Sequence, residues 1–282
     1  GSHIYAYYQS SAGSLASAMT ITTGLQVRGI AIGDVDNDGL ADLVVDGNST
    51  GGVSPLGRIA VFLQDPVTHT LDAPNEYALS INDVGPIAIA DINDDNLLDV
   101  VAAGTNMSGS GVISLLFQES SGVLGTETVY SGVSVRTNGE LHVGDMNGDG
   151  SNDIVIQSGK KELAVIKQIS PGVFSSTIAY YTVQTSYWSE FYSFAIGDVN
   201  GDGLADVVVA DPGNGGKLNV FLQNATGALT GPTLMGNTYY PGIEVHIADI
   251  DGDGLQDIID VGCCGYHIYY QFPDHTFHDM AS

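Results

Sequence analysis

The chain is nearly devoid of cysteine and of positive charge. Its only two cysteines are adjacent, Cys263 and Cys264, among 282 residues. One adjacent pair builds neither a disulfide framework nor a zinc-ligand spacing. The pair could close a strained vicinal disulfide or remain as two thiols. Lys and Arg total 7 against 33 Asp and Glu, a formal charge of −26. A surface of that sign repels phosphate backbones and anionic headgroups, which argues against nucleic acid and membrane surfaces as partners, and it attracts cations. Tryptophan occurs once, at Trp188. No apolar run approaches the roughly 18 residues of a membrane-crossing helix, so no membrane insertion is expected. The start, GSH followed by an alternating stretch, lacks signal-peptide architecture, and Gly1–Ser2 reads as a cloning remnant. HExxH and P-loop motifs are missing. The one G-x-S-x-G match, GNSTG at 47–51, has no helix after it and lies in a Gly/Pro-rich hairpin.

What is present is repetition. Five acidic stretches align: DVDNDGLAD from Asp34, DINDDNLLD from Asp91, DMNGDGSND from Asp145, DVNGDGLAD from Asp198 and DIDGDGLQD from Asp249. Their starts are 57, 54, 53 and 51 residues apart, a period that signals a propeller or solenoid. Before each comes an alternating run with large apolar residues two and four places ahead of the first Asp, as in Ile32/Ile30 and Ile196/Phe194, and always Gly or Ala immediately before it. Period-2 alternation reads as a strand, and the constantly small position implies crowding there. After each loop a short apolar run (DLVVD, DVVAA, DIVIQ, DVVVA, DIIDV) reads as a more buried second strand. A third strand ends in Gln each time (Gln64, Gln118, Gln168, Gln223, Gln271), and a fourth, more variable one is rich in Thr, Tyr and Leu. Four antiparallel strands per repeat of about 50 residues make one blade. The expectation is therefore a single all-β domain over 1–282, a β-propeller of five blades with a loop between the first and second strand of each. The Gln-ending strand also occurs a sixth time, HIYAYYQ at 3–9. The chain thus starts within a blade and is expected to stop after the third strand of the last, leaving 273–282 as a frayed tail. If the ring closes, the strand near 14–22 would complete the last blade; the alternative is a stretch cut from a longer array of such repeats.

The loops carry the chemistry. In D-x-[DN]-x-D-[GN]-x-x-D, side-chain oxygens fall at positions 1, 3, 5 and 9, and position 7 offers its carbonyl. This is a cage for a hard cation wanting six to eight oxygens, namely Ca2+. Neither His nor Cys enters the pattern, which disfavours zinc and copper. The candidate ligands are Asp34, Asp36, Asp38, Leu40 and Asp42; Asp91, Asn93, Asp95, Leu97 and Asp99; Asp145, Asn147, Asp149, Ser151 and Asp153; Asp198, Asn200, Asp202, Leu204 and Asp206; and Asp249, Asp251, Asp253, Leu255 and Asp257. An EF-hand shares the first six positions but needs Glu at position 12 and flanking helices. Position 12 here is Val45, Ala102, Ile156, Val209 or Asp260, and the flanks are strands. Five bound Ca2+ would reduce the formal charge from −26 to −16. Sites of this kind outside cells bind at around 10⁻⁴–10⁻³ M, so a secreted or surface-exposed chain is expected.

With these residues in view, the repeats resemble the FG-GAP/VCBS repeats of integrin α-chain propellers and many secreted bacterial proteins. FAIGDVNGDGLADVVVADPG follows that pattern closely, and VHIADIDGDGLQDIIDVG is a good match. The second repeat departs most, with Asn96 where Gly is usual and Asn93 at position 3. The resemblance covers roughly residues 4–272. It implies about five Ca2+, one in each loop, and adhesion or lectin activity.

In an up-and-down blade, second-to-third loops and blade-to-blade connections share the face opposite the acidic loops. Sequence varies most there, and variable loops on a rigid scaffold are where recognition is expected. Tyr187, Trp188, Tyr239 and Tyr240 fall in these connections and are the candidate ligand-binding residues, suited to sugar rings or a protein hot spot. The alternative is that such aromatics pack between blades. His142 and His246 occupy equivalent strand positions and are expected to line a channel or fill space. The expected function is an extracellular Ca2+-binding recognition or adhesion module for a glycan or a cell-surface or matrix protein, not an enzyme. The alternatives are a non-binding scaffold of a larger secreted protein and a polysaccharide-acting hydrolase or lyase.

Overall fold

A computed structural model describes residues 3–7, 13–15, 17–49, 57–185, 190–236, 242–262 and 265–280. A short antiparallel pair comes first, β1 (His3–Ala6) with β2 (Met19–Thr22). Five four-stranded antiparallel sheets follow in chain order. The first sheet is β3 (Leu25–Gly33), β4 (Asp42–Ser49), β5 (Gly57–Phe62) and β6 (Asn75–Ala78). The second is β7 (Asp83–Ala90), β8 (Asp99–Thr105), β9 (Gly111–Leu116) and β10 (Thr128–Ser131). The third is β11 (Leu141–Gly144), β12 (Asp153–Gln157), β13 (Glu162–Ile166) and β16 (Ala179–Thr182), with the small hairpin β14 (Gln168–Ser170) and β15 (Val173–Phe174) inserted before its last strand. The fourth is β17 (Ser193–Gly197), β18 (Asp206–Ala210), β19 (Leu218–Gln223) and β20 (Leu229–Met235). The fifth is β21 (Gly242–Ala248), β22 (Asp257–Gly262), β23 (Gly265–Gln271) and β24 (Phe277–Met280). Each sheet pairs its strands in sequence order. Among the described residues there is no α-helix, and none long and apolar enough to cross a membrane.

The all-β expectation and the four-strand repeat hold. Two details differ. Within 273–282, expected to fray, Phe277–Met280 pair with β23 and complete the fifth sheet. Accordingly β2 does not finish that sheet but pairs with β1. The polar sequence HTFHDM hid this strand, although the step of six residues from Gln271 to Phe277 equals that from Gln223 to Leu229.

Burial follows the strand order. Second strands are continuous apolar runs buried on both sides, as in β12 and β18, where every residue is buried. First strands are less buried: β3 alternates between half-buried and exposed residues, and β7 is mostly half-buried. The chain divides into two compact units, residues 1–89 with 97–131, and residues 90–96 with 132–282. In the former, Val44, Ile59 and Val61 of the first sheet pack with Val100, Ala102 and Val112 of the second. In the latter, Val155 and Val165 of the third sheet pack with Phe194, Val207 and Val209 of the fourth, whose Val208 and Val220 pack with Val245 and Ile258 of the fifth.

The small residue before each acidic loop has a specific reason. A Cβ branch on Gly33 would press on Ile89 Cγ2 at 3.0 Å, and one on Gly197 would meet Ile247 Cγ2 at 2.7 Å. Gly144 faces Ile196 Cγ2 at 3.4 Å in the same way. The apolar residue two places before one loop therefore seats against the glycine before the preceding loop.

Candidate functional site

All five acidic loops adopt one backbone geometry. The first Asp accepts the N–H of position 5 on one carboxylate oxygen, at 3.1 Å in Asp34–Asp38 and 3.2 Å in Asp198–Asp202. Its other oxygen accepts the N–H of position 6, at 2.9 Å from Gly39 and 2.8 Å from Asn96, Gly150 and Gly203. Position 3 accepts the same position-5 N–H whether it is Asp36, Asn93, Asn147, Asn200 or Asp251. Positions 4 and 6 both take positive φ: Asn37 (62°) and Gly39 (88°), Asp94 (60°) and Asn96 (65°), Gly252 (79°) and Gly254 (89°). Asn96 thus meets the requirement that Gly meets elsewhere. The signal at position 4 was legible, since Asn, Asp and Gly alone occupy it.

The ninth Asp is the anchor. Asp42, Asp99, Asp153, Asp206 and Asp257 are all buried, at the first residue of each second strand. One oxygen of each accepts the backbone N–H of the recurrent Gln, at 2.7–2.9 Å; Gln223 and Gln271 end their third strands, whereas Gln64, Gln118 and Gln168 lie two residues past theirs. The other oxygen accepts the N–H of position 2, as from Val35, Met146, Val199 and Ile250. The loop, the second strand and the third strand are tied at one carboxylate. The Gln side chains add a further tie. Gln64 Nε2 donates to Ala41 O at 2.9 Å, and Gln223 Nε2 donates to Ala205 O and to Asp145 O in the preceding loop.

Carboxylates converge most closely in the first and fifth loops. One oxygen each from Asp34, Asp36 and Asp42 lies within 4.8 Å of the others, and so for Asp249, Asp251 and Asp257. These are the two loops with Asp at position 3. Where Asn stands there, its amide turns to a neighbouring carboxylate: Asn93 to Asp95 and Asn200 to Asp202 at 3.1 Å, Asn147 to Asp153 at 3.2 Å. Burial, reinforced by the neighbouring carboxylates, raises the pKa of Asp36 and Asp251. Burial likewise pushes Asp153 and Asp206 up to about 6, against the lowering effect of their two backbone hydrogen bonds. Clustered, oxygen-only groups whose ionisation is opposed without a counter-charge fit a hard divalent cation such as Ca2+. At position 7 the N–H of Leu40, Ser151, Leu204 or Leu255 donates to the position-5 carboxylate, and the Ser151 hydroxyl also donates to Asp94 of the preceding loop at 3.0 Å.

Tyr187, Trp188, Tyr239 and Tyr240 lie outside the described residues, as do Cys263 and Cys264. Nearby aromatics divide: Phe191 is buried, Tyr181 meets Phe221 edge-on at 6.3 Å, and Tyr192 is half exposed. His142 and His246 sit on first strands, beside Glu140 at 3.6 Å and Glu244 at 3.1 Å, and His142 stacks edge-on against Phe194. Of the G-x-S-x-G match, Gly47–Ser49 lie within β4, and the rest lies outside the described residues.

One cavity went unread in the sequence. About 470 Å3 opens between β6 and the β9–β10 connection, lined by Glu76, Tyr77, Glu119, Leu124 and Glu127 among others. Glu127 is held by Ser80, through its N–H and hydroxyl, and by the Ser114 hydroxyl at 2.5 Å. The Tyr77 hydroxyl accepts the Leu124 N–H at 3.3 Å, and Tyr181 repeats this with Leu229. The sequence signal was a Tyr in the middle of fourth strands, too weak to separate from packing.

Three successive matches to the FG-GAP-like repeat model cover residues 91–156, 145–209 and 198–259, more than half of the chain together. No curated protein shows significant sequence similarity to it. Among solved structures, a lectin of Agrocybe aegerita that recognises non-reducing terminal N-acetylglucosamine superposes with a TM-score of 0.63 at 18% identity, over 95% of this chain and 73% of that one. The BP39L lectin of Burkholderia pseudomallei superposes with a TM-score of 0.58 at 17% identity, over 86% of this chain and 66% of that one. At such identities the likeness is one of fold.

Proposed function

The chain belongs to the FG-GAP-like repeat family, and from that premise we propose that it is a calcium-stabilised β-propeller of five blades that recognises a glycan outside the cell. The observation that carries the glycan reading is the fold shared with two lectins across most of the chain. Calcium is supported by the oxygen-only loops, two of which gather three carboxylates within 4.8 Å. Millimolar extracellular Ca2+ would fill such sites, which supports a location outside the cell. The carboxylates serve binding rather than acid–base chemistry, because the ninth Asp of each loop is committed to backbone N–H groups and the first to the loop itself. The cavity at Tyr77 offers a sugar an aromatic face and the carboxylates of Glu76 and Glu119, within a fixed frame.

A glycan array run in CaCl2 and again in EDTA tests this. Binding to a restricted set of glycans, lost on chelation and weakened by Tyr77→Ala, is the expected result. A folded, Ca2+-loaded protein that retains no glycan would overturn recognition in favour of a scaffold role. Release of products from a polysaccharide would instead make it an enzyme. Elemental analysis should find up to five calcium ions per chain, one for each loop.

A further inference from the structure

The first sheet has an uncovered half. Ile30 and Ile32 stand opposite Val45 and Leu43 across the β3–β4 pair, so all four share one face. Val45 and Leu43 are buried there, with Ala60 and Phe62, under Ile4, Ala6, Met19 and Ile21 of the β1–β2 pair. Ile30 and Ile32 are not: they are 48% and 69% exposed. Their counterparts, Ile87 and Ile89, Phe194 and Ile196, Val245 and Ile247, all pack against the sheet that precedes theirs.

The covering pair is itself half a sheet. HIYAYYQ, which contains β1, has the pattern of the third strands, and HIYYQ of β23 nearly repeats it. In every four-stranded sheet the third strand is paired on both edges, with the second strand and with the fourth. Among the described residues β1 pairs with β2 alone. Beside it lies an open, mostly apolar cleft of about 460 Å3, lined by Ile4, Tyr5, Ala6, Tyr7, Ile30 and Ile32 among others. It occupies the place that first and second strands take elsewhere.

We propose that this cleft is a docking site for a β-hairpin of the chain's own repeat type: an apolar strand ending in Gly or Ala, an acidic Ca2+ loop, and a second apolar strand. The argument is continuity of the sheet-to-sheet packing already present. The incoming second strand pairs with the free edge of β1, adding main-chain hydrogen bonds. The incoming first strand covers Ile30 and Ile32. The residue before its acidic loop is small because it meets Ile32, as Gly33 meets Ile89, Gly144 meets Ile196 and Gly197 meets Ile247. A side chain as large as Leu at that place excludes the hairpin.

The probe is a labelled synthetic peptide with the sequence of Tyr192–Ala210, a complete strand–loop–strand unit, titrated against the whole chain in CaCl2. Saturable 1:1 binding is expected, with slowed amide exchange at His3–Tyr7. Ile32→Asp in the chain, or the peptide counterpart of Gly197→Leu, should weaken it roughly tenfold or more, since each removes or blocks one buried Ile contact. Ile32 is exposed, so its replacement should leave the melting temperature unchanged. If it does not, exchange at β1 in the unmodified chain decides. Lack of saturable binding, equal binding by Ile32→Asp, or unchanged exchange at β1 would overturn the proposal. So would a dimer of the chain that Ile32→Asp dissociates, because the occupant would then be a second copy.

Discussion

Two buried aspartates lie four residues apart on β4. Asp42, at the loop end, is 1% exposed and has both oxygens occupied by backbone N–H groups, from Val35 and Gln64. Asp46, at the far end, is fully buried, yet only one oxygen has a partner, the Gly29 N–H, and Oδ2 has none. Burial raises both pKa values, and Asp46 goes to about 7 because so little opposes its desolvation. The loop end recurs five times. The far end varies: the residues at the position of Asp46 are Ala103, Gln157, Ala210 and Val261, and the fifth sheet approaches it, burying Asp260 one place earlier with Oδ1 without a partner. Periodic sequence builds the frame and its acidic loops, whereas aperiodic sequence sets what distinguishes one sheet from the next.

The largest test of that contrast is chelation, which acts on every loop end at once. At millimolar Ca2+ each site with a dissociation constant near 10⁻⁴ M adds ~1–3 kcal/mol. Removing five should lower the melting temperature by on the order of 10 °C or more. Calorimetry in CaCl2 and EDTA checks it, and coincident melts would mean that the loops are plain turns. Next comes Asp206→Ala. It strips the Gln223 and Val199 N–H groups of their acceptor, at 2.8 and 3.1 Å, in a fully buried place. A loss of about 2–5 kcal/mol is expected in denaturant unfolding, part of it persisting in EDTA because the backbone groups stay unpaired.

The far end should respond with the opposite sign. Asp46 binds its proton more tightly folded than unfolded, so its contribution to stability is complete below about pH 4 and fades as pH rises towards 7. Asp46→Asn, neutral at every pH, should stabilise the chain at pH 8 by ~1 kcal/mol or more and flatten its stability between pH 4 and 7. Melting curves across that range settle the matter. A variant less stable than the parent at pH 8 would show that the Asp46 charge is used, by a ligand or an ion.

The same division explains what could be read from the sequence. Strand order, loop positions and the small residue before each loop follow from periodicity and side-chain type. The crowding at Gly33 was legible; that Ile89 causes it was not, because the contact joins residues 56 positions apart in different repeats. The recurrent Gln was visible, but its main contribution is a backbone N–H to the ninth Asp, which no side-chain pattern reveals. β24 was missed because a short edge strand needs little apolar sequence once its neighbour is placed. The Tyr77 cavity is aperiodic and arises only when the fourth strand of one sheet meets the connection of the next.

The smallest expected effect lies among the loops themselves. In the first and fifth, position 3 is Asp36 or Asp251, whose charge faces three other carboxylates and whose pKa rises through burial and that repulsion. In the other three, Asn keeps the oxygen that holds the position-5 N–H and replaces the second oxygen with an amide that binds a carboxylate. Asp36→Asn makes the first loop resemble these three. It should weaken Ca2+ at that loop by roughly tenfold or less, since one of four charges is lost while the geometry remains. In EDTA it should raise the melting temperature by about 1–2 °C, because a self-repelling cluster becomes internally bonded. Asn200→Asp in the fourth loop should do the reverse, tightening Ca2+ and destabilising the metal-free chain. Titrations of the two variants that moved in the same direction would show that charge count does not separate the loops, leaving the backbone cage common to all five as the determinant of affinity.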